Sequence, residues 1–327
     1  MITEFHFDEE LLSCDDITSE HSHALNISLL EFWYERGCLV YPYSNLVKYK
    51  EWIQYVHPKY SQKWQVALSS NLTINMSTGY KMINEYSDFN ALTASCIANG
   101  IDLILVPSNF DKLGVTTEID VFSNVVDIAK VGSFLSSPIV KKNKSLSTKG
   151  ILPGEDILDI WNEQFAKVAK HSKKITVIDR YFGRNLCEEM NIQNKTPAKI
   201  TCLHKFIELL SLTNKKFNLN IITAGDVKNS QMHLDIESYS HRLMQNIKIQ
   251  KTLSSLTISS CDDIVFRDHS HERYICFESF VYKIDRGMKI FSPFPQIATS
   301  IAVSRNVAGS TFNHALQELM KRRLWVY

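Results

Sequence analysis

Apolar residues recur every three or four positions through much of this chain, and short unbroken apolar runs separate the helical stretches. Leu25, Leu29, Phe32 and Trp33 follow helical spacing up to Gly37. Tyr43–Tyr55 and Lys59–Ala67, which carry Trp52 and Trp64, predict two more helices. Large aromatics at that spacing mark a core face rather than a ligand box. Phe89–Ala98 predicts a helix closed by Asn99-Gly100, and Ile101–Val106 predicts a buried strand bounded by Pro107-Ser108-Asn109. Ser108 and Asn109 stand at the strand end where α/β sheets often bind ligands, but without a further signature a plain loop is the simpler reading.

Residues 1–24 are polar and acidic, with Asp8, Glu9, Glu10, Asp15, Asp16 and Glu20, and read as a loose lead-in. Residues 25–140 read as a helix-rich α/β domain of unknown role. Lys141–Gly154 is basic, carries Ser, Gly and Pro, lacks apolar periodicity and reads as a linker. From 155 to 327 the pattern sharpens into a second α/β domain. Ile157, Trp161, Phe165 and Val168 share a helix face. Ile175–Phe182 is a strand, and Pro197 opens a helix with Leu203, Phe206, Ile207 and Leu210 inward. Leu219–Thr223 is a strand stopping at Ala224-Gly225-Asp226. A long amphipathic helix over about 233–256 leads to a hairpin, and a helix around Phe312–Arg323 ends in cations.

Bulk properties narrow the function classes. At 327 residues two domains are the default. Lys and Arg number 36 against 35 Asp and Glu, so no chain-wide electrostatic footprint for nucleic acid exists, only room for a local patch. No run approaches the length of a membrane span, and the acidic start is unlike a signal peptide. Seven scattered cysteines without a Cys-x-x-Cys pair suit buried thiols in a reducing compartment, so a cytoplasmic location is expected.

The richest chemistry lies in residues 264–291. His271 and Arg273 are two apart and would share one strand face; Glu278 would turn to the other, and Arg286 follows a second strand. An imidazole beside guanidinium groups suits a phosphate, since Arg binds it bidentately and His attacks or transfers a proton. Arg180, Arg184 and His204 also come from strand ends or following turns. A cationic pocket forms if strand order gathers them; otherwise they pair with Asp179, Asp226 or Asp285. Competing chemistry is poorly supported. Asp268, His269, His271, Cys261 and Cys276 lack finger spacing, and His21-Ser22-His23 has no supporting ligands, so neither a metal nor another cofactor is expected. Neither a Gly-x-Ser-x-Gly elbow nor a phosphate-binding P-loop occurs.

His271-Glu-Arg273, the apolar alternation Tyr274–Phe280 and Ile284-Asp-Arg286-Gly287-Met-Lys-Ile-Phe291, with Asp179-Arg180-Tyr181 and Ile221-Ile-Thr223 upstream, resemble a known group. It is the phospholipase-D-like domain at the carboxy terminus of microtubule-interacting-and-trafficking proteins, with its bacterial relatives. The resemblance spans about 174–327; residues 1–150 resemble no family. It implies an α/β chain of two domains, the second a phospholipase-D-like mixed sheet with flanking helices. Active members of the superfamily use two His-x-Lys-x4-Asp motifs, one histidine as nucleophile and the other as acid. On that pattern His271 takes the nucleophile position, Arg273 replaces the lysine and Glu278 falls near the aspartate. Only one copy is present, so catalysis would need a homodimer.

Two readings stand on this basis. The first is a phosphodiesterase or nuclease effector of a bacterial defence or mobile-element module, using His271. The second is a phosphate- or lipid-binding, complex-assembly module without chemistry. Either takes nucleic acid or another phosphate-bearing ligand, with a protein partner at the amino-terminal domain.

Overall fold

The computed structural model describes residues 1–42, 46–76, 81–122, 124–195, 200–292 and 294–327. Residues 43–45 of the helix expected from Tyr43, and the helix start expected at Pro197, lie outside them. The protein is a mixed α/β chain with two mixed sheets, and its contacts divide it into two compact units, Met1–Ser145 and Leu146–Tyr327. The division falls inside the expected 141–154 linker. The first part of that linker is helical, because Pro138–Leu146 forms a helix whose Val140 and Leu146 are buried.

The first unit is a six-stranded sheet in the order β3-β2-β1-β4-β6-β5. Its strands are β1 (Thr3–His6), β2 (Gly37–Tyr41), β3 (Thr73–Asn75), β4 (Leu103–Val106), β5 (Ile119–Phe122) and β6 (Val126–Lys130). All neighbours are parallel except β5 and β6. The loose lead-in expected over 1–24 is overturned. Met1, Ile2, Phe5 and Phe7 are buried, and β1 lies between β2 and β4. A central strand buried on both faces needs few residues, and four of them amid acidic neighbours escape a composition reading. Trp33, Trp52 and Trp64 are core residues as their spacing predicts, and the Trp64 indole donates to the buried Asn26 carboxamide at 2.7 Å.

Helix Phe89–Asn99 and β4 form where expected, with Gly100 in the left-handed conformation closing the helix. At the end of β4 the Ser108 amide donates to the Asp16 carboxylate at 2.8 Å, so the chain itself fills the place an anion would take.

The second unit is a seven-stranded sheet in the order β12-β11-β10-β7-β8-β9-β13. These are β7 (Lys174–Ile178), β8 (Phe217–Ala224), β9 (Leu253–Cys261), β10 (Tyr274–Phe277), β11 (Phe280–Ile284), β12 (Ile301–Arg305) and β13 (Arg323–Val326). β7, β8 and β9 are parallel, whereas β10 to β12 and β13 join antiparallel on either side. The long helix expected over 233–256 is two helices, Gln231–Met244 and Ile247–Thr252, followed directly by β9. Ile249, Leu253 and Leu256 continue a helical spacing, and only pairing with β8 makes Leu253–Cys261 a strand. Likewise the last helix stops at Lys321, and Arg323–Val326 pairs with β9. Residues 157–170 are helical throughout, with a π-helical turn at Trp161–Phe165. Among the described residues no helix is long and apolar enough to cross a membrane.

Candidate functional site

Strand directions bring the carboxyl ends of β7, β8, β9 and β11 to the same sheet edge as the amino ends of β10 and β13. In an open α/β sheet that edge is where ligands bind, because the chain leaves it in loops and helix starts. Arg180 follows β7, Arg273 precedes β10 and Arg286 follows β11, so three of the expected cations share it. Arg184 joins them from the first turn of helix Phe182–Lys195.

The segment before β10 is not the expected hairpin strand. Asp263–His269 forms a helix capped by the Asp262 carboxylate, and a bend carries His271 and Glu272 to Arg273. Asp262 is the missed signal, since its side chain accepts from the Ile264 amide at 2.7 Å. His271 and Arg273 therefore do not gain a common face from strand alternation. The exposed His271 makes no hydrogen bond or ion pair among the described residues. His269 belongs to a different cluster, with Arg322 and His314.

Asp179 anchors the site. Its carboxylate is 1% exposed and accepts from the Tyr181 amide at 3.0 Å and the Met288 amide at 2.8 Å. Arg273 Nε stands 3.8 Å from it. Burial raises the Asp179 pKa, while the two amides and Arg273 pull it back. Gly287 makes the approach feasible. Its φ is +52°, and a Cβ there would collide with the Asp179 carboxylate.

The Arg273 guanidinium lies 4.7 Å from the centroid of the Tyr181 ring, and that of Arg180 lies 5.4 Å from the same ring. Arg180 is neutralised by a bidentate pair with Asp263, at 2.7 and 2.6 Å. That acid comes from the unexpected helix and is not among the three the sequence offered as partners. Arg286 differs. It is half-buried, its guanidinium makes no hydrogen bond or ion pair among the described residues, and its pKa is lowered by burial and then by Arg273. The two arginines come from neighbouring segments, since a Cβ on Gly287, next to Arg286, would stand 3.0 Å from Arg273 Cδ, and the buried carboxylate beside Arg273 is already engaged by amides. The Arg286 guanidinium has spare donors for an anion.

Glu278 and His204 are not brought in. Glu278 lies in the β10–β11 turn with φ +49°, and its carboxylate accepts from the Lys173 amide at 2.9 Å. Because β10 is antiparallel to β7, Glu278 is at the far end of the strand from Arg273, roughly 15 Å away by strand rise. It cannot take the aspartate position beside His271. His204 is on helix Cys202–Ser211, 3.8 Å from Glu208, and lines a separate hollow with Tyr239 and Arg242. Among the described residues no group of three or more His, Cys, Asp or Glu is placed to hold a metal ion.

Beside Tyr181 a cavity of about 670 Å³ opens between the starts of helices Phe182–Lys195 and Gln231–Met244. Arg180, Tyr181, Arg184, Gly225, Asp226 and Asp235 are among its lining residues. No protein-family model matches the chain, and no curated protein matches it.

Proposed function

We propose that the Leu146–Tyr327 unit binds a phosphate group of a nucleic acid or nucleotide on Arg273 and Arg286. The carrying observation is Arg286, a half-buried guanidinium without a hydrogen bond or ion pair among the described residues, whose neighbour Gly287 packs against the Arg273 side chain. A cation held in that way is costly unless an anion joins it. Asp179 orients Arg273 but is already committed to the Tyr181 and Met288 amides. The resemblance to phospholipase-D-like domains supports phosphate as the anion, and Arg in place of Lys favours bidentate binding.

The binding reading is preferred over catalysis because the sequence carries one His-x-Arg motif where active members of the resembled group use two, and Glu278 is remote from Arg273. The phosphodiesterase reading keeps one favourable observation: the His271 ring is exposed and unengaged, as a nucleophile requires. It places a nuclease effector of a defence or mobile-element module on the same residues, acting as a homodimer.

Titration of a short fluorescent oligonucleotide and of inorganic phosphate tests the proposal. Arg286→Ala should abolish saturable binding and Arg286→Lys should weaken it; undiminished binding by Arg286→Ala overturns the phosphate site. In parallel, metal-independent cleavage that His271→Ala abolishes, by a protein of dimeric mass, would establish the catalytic reading instead.

A further inference from the structure

The cavity beside Tyr181 and the arginine pair share one aromatic ring. Tyr181 is 37% exposed, lines the cavity, and has the Arg273 guanidinium 4.7 Å from its centroid. An anion on Arg273 is therefore one ring's width from a hollow of about 670 Å³, within the size range of small-molecule sites. The hollow does not match a second phosphate. Its lining carries Glu188, Asp226, Asp235 and Asp263 against Arg180 and Arg184, and Asp263 already holds Arg180. What the ligand presents there has to stack on an aromatic ring and donate hydrogen bonds to carboxylates.

The floor at Gly225 is closely packed, with Met232 lying directly against the backbone. Gly225 has no side chain, and a Cβ there would strike Met232 and crowd the Ser260 hydroxyl. Asp226, at the end of β8, is exposed at the rim. Two helix starts converge on the hollow, one after β7 and one after β8. A carboxylate at a strand end accepts both hydroxyls of a vicinal diol, and an aromatic ring takes a base face-on.

We propose that this cavity receives the nucleoside of a terminal nucleotide, with its base on Tyr181 and its sugar hydroxyls towards Asp226, while the phosphate sits on Arg273 and Arg286. The inference rests on the phosphate reading of those arginines. It narrows the ligand from any phosphate to a mononucleotide or the end of a single strand. A duplex backbone would leave the cavity empty.

The test is isothermal titration of the full chain with inorganic phosphate, ribose 5-phosphate, adenosine 5′-monophosphate and adenosine, and flotation with phosphatidylcholine–phosphatidic acid vesicles. Adenosine 5′-monophosphate should bind roughly tenfold or more tightly than inorganic phosphate, within what stacking of one base provides. Asp226→Asn should reduce that advantage and leave inorganic phosphate binding as it was. Met232→Trp, which fills the cavity, should remove the advantage; circular dichroism confirms that the variant folds. Phosphate binding with no gain from the nucleoside overturns the inference alone. Binding of neither overturns the phosphate reading with it. Vesicle binding that competes with phosphate, again without nucleoside gain, assigns the site to a lipid headgroup and sinks the nucleotide proposal.

Discussion

The buried Asp179 carboxylate and the Arg273 guanidinium stand 3.8 Å apart, close enough to attract but too long for a hydrogen bond. The carboxylate is spent on two amides from different segments, Tyr181 after β7 and Met288 after β11. Asp179 thus ties the loops that carry Arg180 and Arg286 to a single point and stands beside Arg273, whose guanidinium lies over the Tyr181 ring. The most buried acid of the edge works as a clamp rather than as a reacting group.

Removing that clamp exposes its cost. Asp179→Ala should destabilise the protein by about 1–3 kcal/mol, because the Tyr181 and Met288 amides lose their acceptor in a buried place. Asp179→Asn should cost less, since one carboxamide oxygen remains. Urea denaturation measures both.

The same carboxylate makes a pH prediction of unusual sign. Its folded pKa is raised, mainly by burial, so in the window between the unfolded and folded values the native state binds more protons. Its contribution is then fully present below the unfolded pKa and is lost as pH rises through the folded pKa. The stability of the wild-type protein relative to Asp179→Asn should fall as pH rises through that window. A difference that rises instead would show that the amides outweigh burial.

Gly287 is required by geometry. Gly287→Ala places a Cβ against the Asp179 carboxylate at φ +52° and should cost about 1–3 kcal/mol from backbone strain, with the clash added. Arg286 sits next to it, so binding of inorganic phosphate should weaken in step with the loss of stability. Thermal unfolding with and without phosphate reads both.

Asp263 competes with any anion for Arg180. Its side chain is 55% exposed, so Asp263→Asn should change stability by less than about 1 kcal/mol. Freed of its partner, Arg180 should raise phosphate affinity up to about fivefold, equivalent to about 1 kcal/mol. Salt titration should show one additional counterion released.

Glu278 gives a contrasting case. It holds φ +49°, where glycine is preferred, so Glu278→Gly exchanges one exposed hydrogen bond for backbone relief. Stability should stay within about 1 kcal/mol of wild type and phosphate affinity should not change. Loss of phosphate binding in this variant would return Glu278 to the site.

Periodicity alone determined the helices with a long apolar face, the aromatic core around Trp33, Trp52 and Trp64, and the strands that are continuous apolar runs, such as Leu103–Val106. Expected strand ends and turns singled out Arg180, Arg184, Arg273 and Arg286, but also His204, which lies on a helix lining a separate hollow. Tertiary structure decided the rest. Thr3–His6, Leu253–Cys261 and Arg323–Val326 are strands only because a neighbour offers a ladder of hydrogen bonds, and local sequence carries no trace of that partner. Antiparallel pairing of β10 with β7 sent Glu278 to the far end from Arg273, and the helix at Asp263–His269 supplied Arg180 with an unforeseen carboxylate. Which cation keeps spare donors depends on what stands opposite it in space, and that distance is set by strand order rather than by spacing along the chain.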